Sequence, residues 1–166
     1  MRIIVLFLLS IFSLTAEETI TAGNFQFTAQ KPWVVIDYPS HMVKGAVTHG
    51  EKGSLLKFYH FGRGQGGGVE ANLRRWKKQF EGETKVTQEK ITYGKQEVVI
   101  VLMEGTFLDG GMMERKTPKE GYALLGAVIP HQGGDVFLKM TGPAAPVKKS
   151  QTDFKTLIAT AFAKEK

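Results

Sequence analysis

The sequence contains no cysteine. Disulfide staples, thiolate catalysis, cysteine-ligated metals and a lipid-modified amino-terminal cysteine are therefore excluded. Its long apolar run, residues 3–14, is broken by Ser10 and Ser13 and falls well short of the ~20 residues a helix needs to cross a bilayer. Histidine is scarce. His41, His49, His60 and His131 are the whole set, and no two stand at a spacing that would bring them to one metal from a single helix or strand. There is no G-x-S-x-G elbow, and Ser40-His41, being mere neighbours in the chain, make no triad contact. The acidic residues form no motif that separates a glycosidase pair from ordinary surface charge. Internal repeats and low-complexity segments are absent too. No catalytic residue, metal ligand or cofactor site emerges from the sequence.

What is present begins with Met1-Arg2, the apolar run, and Thr15-Ala16 ahead of two acids, the layout of a short secretory signal peptide. A cut after Ala16 divides the chain into a signal at 1–16 and one α+β domain at 17–166. Leu14 is bulkier than the peptidase prefers at the minus-three position, and an alternative cut after Ala22 places Ile20 there. Export implies a periplasmic or secreted protein. A mature domain of this length buries roughly 68–70% of its unfolded surface, enough for stability without cross-links. The formal charge is +6, from 22 basic and 16 acidic side chains; without Arg2 it is 21 against 16. The basic residues are spread along the chain, so nucleic acid is not an expected partner. Nothing in the sequence specifies an oligomeric state.

Two short strands are expected around Phe25 and Phe27 and at Trp33-Val34-Val35-Ile36, the second stopped by Tyr38-Pro39. Residues 43–49 and 54–61 read as a further antiparallel pair across Gly50-Glu51-Lys52-Gly53. The period then changes. Val69, Leu73, Trp76 and Phe80 recur at four, three and four, the single face of a helix lying on a sheet, with Gly82 expected as its carboxy-terminal cap. Strands follow at 85–93 and 96–107 around Gly94-Lys95. The unbroken apolar run 98–103 belongs in the centre of the sheet with both faces covered. Residues 108–121 read as a polar loop, 122–129 and 135–141 as a last hairpin, and a closing helix from Val147 carries Phe154, Leu157, Ile158, Ala161 and Phe162 on one face. Strand runs separated by a helix make an α+β layout.

The most informative stretch is the approach to the first helix, where five of the seven residues 62–68 are glycine. Gly62-Arg63-Gly64-Gln65-Gly66-Gly67 matches G-x-G-x-x-G between a strand and a helix. A dinucleotide site also needs a parallel βαβ unit, which the short hairpin loops argue against, and no Walker lysine follows. The leading reading is a tight strand-to-helix junction. Anion capture at the helix amino terminus, helped by Arg63, is the intermediate one. Glu70 in the first turn suits the helix dipole, and Asn72, a poor interior helix residue, is expected to hydrogen-bond the neighbouring loop. His60, just before the glycines, is expected to face solvent or a backbone acceptor, and Met112-Met113 to fold back on the core.

Together the aromatic strand pair around Trp33, the glycine-rich approach to the helix ending at Trp76, the strand 122–129, the Met140-Thr141-Gly142-Pro143 turn and the closing helix resemble the superfamily that includes the photosystem-associated PsbP proteins, the Ran-binding Mog1 proteins and the periplasmic DcrB-like lipoproteins. The chain is most similar to small exported bacterial members with a GQGGxVEAN-type loop, here ending at Asn72. The resemblance implies an antiparallel β-sheet flanked by helices and a scaffold used for binding partners. It departs from the lipoprotein members in lacking a lipobox cysteine, and nothing marks it as a photosystem subunit or a Ran binder. The expectation is an exported, non-enzymatic binding domain that contacts another cell-envelope protein through Arg63, Gly64, Gln65, Gly66, Gly67 and Asn72, joined by Asp109 and Arg115 of the polar loop. The alternative is a small-molecule or anion binder using residues 64–68 at the helix start.

Overall fold

The computed structural model describes residues 17–50, 54–111 and 114–163. Residues 1–16, where the signal is expected, residues 51–53 and the Met112-Met113 pair lie outside them.

A two-stranded hairpin opens the fold, β1 (Glu18–Ala22) pairing antiparallel with β2 (Phe25–Ala29). Its tight turn is made possible by Gly23 at a φ of 58°. A seven-stranded sheet follows, built from β3 (Trp33–Ile36), β4 (Val43–His49), β5 (Leu55–His60), β6 (Phe80–Tyr93), β7 (Gln96–Asp109), β8 (Thr117–Ile129) and β9 (Val136–Pro143). The spatial order is β3-β4-β5-β9-β8-β7-β6, antiparallel throughout. The chain runs out through β3, β4 and β5, crosses to the far edge through α1 (Gly68–Lys77), and returns through β6, β7 and β8 until β9 docks on β5. This is the α+β sheet expected from the sequence. It contains no parallel βαβ unit around the glycines, so the dinucleotide geometry is absent.

The sheet separates two apolar cores. On one face Val47, Leu56, Phe58, Leu138 and Met140 pack with Ile20, Phe25 and Phe27 of the hairpin and with Phe154, Leu157 and Ile158 of the closing helices α2 (Ala144–Lys149) and α3 (Gln151–Thr160). Phe27 and Phe58 are fully buried with ring centroids 5.0 Å apart. Backbone N of Thr28 donates to Oγ1 of Thr160 at 2.9 Å, and Nε1 of Trp33 donates to the carbonyl of Asp153 at 3.3 Å, tying hairpin and sheet to α3. On the other face α1 lays Trp76, Leu73 and Val69 over Val101, Met103, Leu124, Val128 and Phe137.

Several boundaries differ from expectation. The first helix stops at Lys77, and Phe80 and Gly82 belong to β6; Gly82, with a φ of 67°, sits where the pairing of β6 with β7 shifts register between Glu81 and Lys85, a bulge rather than a helix cap. The polar loop is shorter than 108–121, because Asp109 pairs with Thr117 and Phe107 with Lys119, so strand pairing runs to Asp109 and resumes at Thr117. The run 98–103 is buried on both faces as its composition requires, yet β7 is second from the edge, with the exposed 14-residue β6 outside it. Two closing helices stand where one was expected, and β1 is additional. Among the described residues no helix is long and apolar enough to cross a membrane.

Candidate functional site

The glycine loop is a fixed structure. Gly62, Gly64, Gly66, Gly67 and Gly68 all have positive φ, between 70° and 90°, a region that costs an ordinary residue about 1–2 kcal/mol at each position. At Gly66 a second constraint applies: a Cβ there would stand 2.7 Å from Cε2 of Phe137, so the loop backbone lies directly on that ring. Asn72 holds the loop from beneath. Only 2% exposed, it donates through Nδ2 to the carbonyls of Gly66 and Gly68, each at 2.7 Å, while its Oδ1 accepts from Nη1 of Arg75 at 2.8 Å. The sequence pointed to this bond from the poor fit of asparagine in a helix. The amino-terminal cap residue, Gly67, makes no side-chain capping bond.

The expected binding residues fall into two groups. Arg63, Gly64, Gln65 and Gly67 are exposed on the loop, with Gly66 half-buried and Asn72 beneath them. No hydrogen bond or ion pair among the described residues engages the side chain of Arg63 or Gln65. Asp109 and Arg115 lie at the other end of α1, where the backbone N of Leu108 donates to the carbonyl of Gln79 at 2.8 Å. The ten-residue helix between them spans about 15 Å. Asp109 is paired with Lys119 at 2.5 Å, and the hydrogen bond from that amine holds its carboxyl below the usual range. Arg115 is exposed, while neighbouring Lys116 closes the turn by donating to the carbonyls of Gly110 and Gly111, each at 2.6 Å.

A groove of about 170 Å³ runs beside α1 between these two groups, lined by Tyr59, Phe61, Asn72, Arg75, Trp76, Gln79, Phe137 and Lys139. Its aromatic members come from β5, β9, α1 and the start of the glycine loop. Nζ of Lys139 donates to Oε1 of Gln79 and stands 5.5 Å from the ring centre of Phe107. Burial and the neighbouring Lys57 push its amine down to about 8. Tyr59 moves the other way, its phenol pushed up to about 12 by burial. Sequence reasoning missed this groove. A lone lysine inside the apolar run of β9 was its one visible signal.

Two of the histidines, His60 and His131, flank one residue, Gly133. His60 faces the carbonyl of Gly133 at 3.3 Å, a backbone acceptor as expected, and Nδ1 of His131 accepts from the backbone N of Gly133 at 3.0 Å. His49 pairs with Asp153 at 2.7 Å on the opposite face of the sheet from α1. Among the described residues no three histidine or acidic side chains gather as a metal site.

No protein-family model matches the sequence, and no curated protein matches it either. The fold does have solved counterparts. The cyanobacterial PsbP protein of Synechocystis sp. PCC 6803 superposes with a TM-score of 0.55 at 12% identity, covering 92% of this chain and 96% of that one. A protein of unknown function from Pseudomonas aeruginosa, described as a putative regulator, aligns over 87% of this chain and 94% of its own with a TM-score of 0.43 at 14% identity. At such identity the first likeness establishes the fold, an antiparallel sheet flanked by helices of the PsbP type.

Proposed function

We propose that this PsbP-type domain is an exported, non-enzymatic binding module whose glycine loop contacts another cell-envelope protein. The supporting observation is the state of the loop. Its backbone is clasped by Asn72, so Arg63 and Gln65 project from a rigid base with no intramolecular partner among the described residues. A surface that is already ordered loses little entropy when it is bound, and an unpaired arginine on it offers five donors to a partner. Arg115, about 15 Å away at the far end of α1, offers a second, separate contact. Export rests on the amino-terminal signal pattern of residues 1–16.

The test is capture from a cross-linked envelope extract with the chain from Glu17 as bait and an Arg63→Ala, Gln65→Ala variant beside it. One protein enriched by the wild type and lost with the variant supports the contact. Equal enrichment by both baits overturns the assignment of the loop.

A further inference from the structure

Two features of the groove beside α1 are costly as they stand. Lys57 on β5 and Lys139 on β9 are direct cross-strand neighbours, a like-charge pairing that destabilises a sheet. Lys139 is also largely withdrawn from water, and its bonded partner is the neutral amide of Gln79. Lys57 finds a phenol, donating to the hydroxyl of Tyr38 at 2.6 Å with its amine 4.4 Å from that ring centre. Arg75, the second cation on the groove, is held by the neutral Asn72. Among the described residues neither Lys139 nor Arg75 has an ion-pair partner, and the one nearby carboxylate, Asp109, is committed to Lys119. Positive charge is thus concentrated on a surface that carries four aromatic side chains beside the amides of Asn72 and Gln79. Phe61, 38% exposed, stands at the mouth with its ring centre 6.0 Å from that of Phe137.

We propose that this groove is a binding site for a small aromatic carboxylate, the ring lying among Tyr59, Phe61, Trp76 and Phe137 and the carboxylate received by Lys139. The size fits. A space of about 170 Å³ is below the usual range of drug-sized pockets and suits one ring with a short acidic arm. The charge fits as well. Lys139, bonded to the neutral amide of Gln79 and without an ion-pair partner among the described residues, can receive a carboxylate in a charge-assisted hydrogen bond. A phosphate dianion would have to shed more water into aromatic walls and would find fewer donors than it needs. The groove shares Asn72 with the loop assigned above, but the ligand is met by other side chains, so the two assignments fail separately.

The experiment is a two-dimensional amide NMR titration of the chain from Glu17 with 3-phenylpropionate, run in parallel with 3-phenylpropanamide and with inorganic phosphate. The proposal expects saturable shifts confined to the amides around Tyr59, Phe61, Trp76, Phe137 and Lys139 with the acid alone. Lys139→Met should weaken it about tenfold, the loss of one charge-assisted hydrogen bond. In the wild type, affinity should fall as pH rises through about 8, where Lys139 loses its proton in the presence of Lys57, Lys116 and Asp109. Absence of saturation, equal binding of the amide, or shifts produced as strongly by phosphate would each overturn the proposal. So would a pH profile that stays flat.

Discussion

The indole of Trp76 occupies the space that any side chain at residue 126 would need: a Cβ built on Gly126 would lie 2.4 Å from Cζ3 and 2.9 Å from Cε3 and Cη2 of Trp76. The helix α1 approaches the middle of β8 as closely as it does because that position is bare. Gly126→Ala should push Trp76 off the sheet and cost about 1–3 kcal/mol, the usual penalty for overpacking. Urea unfolding should show a lower midpoint with an unchanged slope.

Two glycines of the loop separate backbone strain from packing. Gly64 and Gly66 both have positive φ, 70° and 90°, but nothing lies within 4 Å of a Cβ at residue 64 whereas the Phe137 ring blocks one at residue 66. Gly64→Ala should cost about 1 kcal/mol, from φ alone. Gly66→Ala should lower the melting temperature further, and a matched pair of thermal melts reads the difference.

Removing the clasp has its own signature. Asn72→Ala gives up three hydrogen bonds and leaves the carbonyls of Gly66 and Gly68 over an apolar side chain, a loss of about 2 kcal/mol. Amide hydrogen exchange should accelerate first across 62–68. Asn72→Asp should be worse, since its carboxylate has no proton to offer those two carbonyls.

Lys139 links stability to pH in an unusual direction. Its amine is pushed from 10.5 down to about 8, by burial first and then by Lys57, so between those pH values the unfolded chain binds more protons than the folded one. Stability contributed by this group therefore rises with pH across that window, and the full cost is present below it. Lys139→Met should be more stable than the wild type by about 2 kcal/mol at pH 7, discounted for the partial exposure of the side chain. The gap should close between pH 8 and 10.5. Chemical denaturation of both proteins at several pH values checks it.

Much of the fold was legible because period and punctuation agree. The strand 43–49 emerged with its bounds intact, and the four-three-four spacing of Val69, Leu73, Trp76 and Phe80 located α1 although its last member begins a strand. That error has a simple cause. Phe80 packs with Trp76 in the same core while the chain has already turned extended, so apolar spacing alone carries no sign of the change. The strand β1 escaped notice because Glu18–Ala22 offers Ile20 and Ala22 as its buried pair, too small a signal beside the apolar run 3–14. The Asn72 clasp was readable from one misplaced residue type. The aromatic groove was not, since its members lie on four elements that only the closure of β9 on β5 brings together.

The two rims of the sheet bear on how this protein behaves in a crowded compartment. One rim, β3, is four residues long and Pro39 follows soon after it. The other, β6, leaves the outer hydrogen-bonding edge of fourteen residues open, yet between Glu81 and Lys90 its single apolar side chain is Val86, set among Glu83, Lys85 and Glu89. The bulge at Gly82 twists that border as well. An incoming strand would have to bury alternating charges, so copies of the chain meeting side by side have little reason to polymerise, and the long exposed ribbon can be carried without seeding fibres.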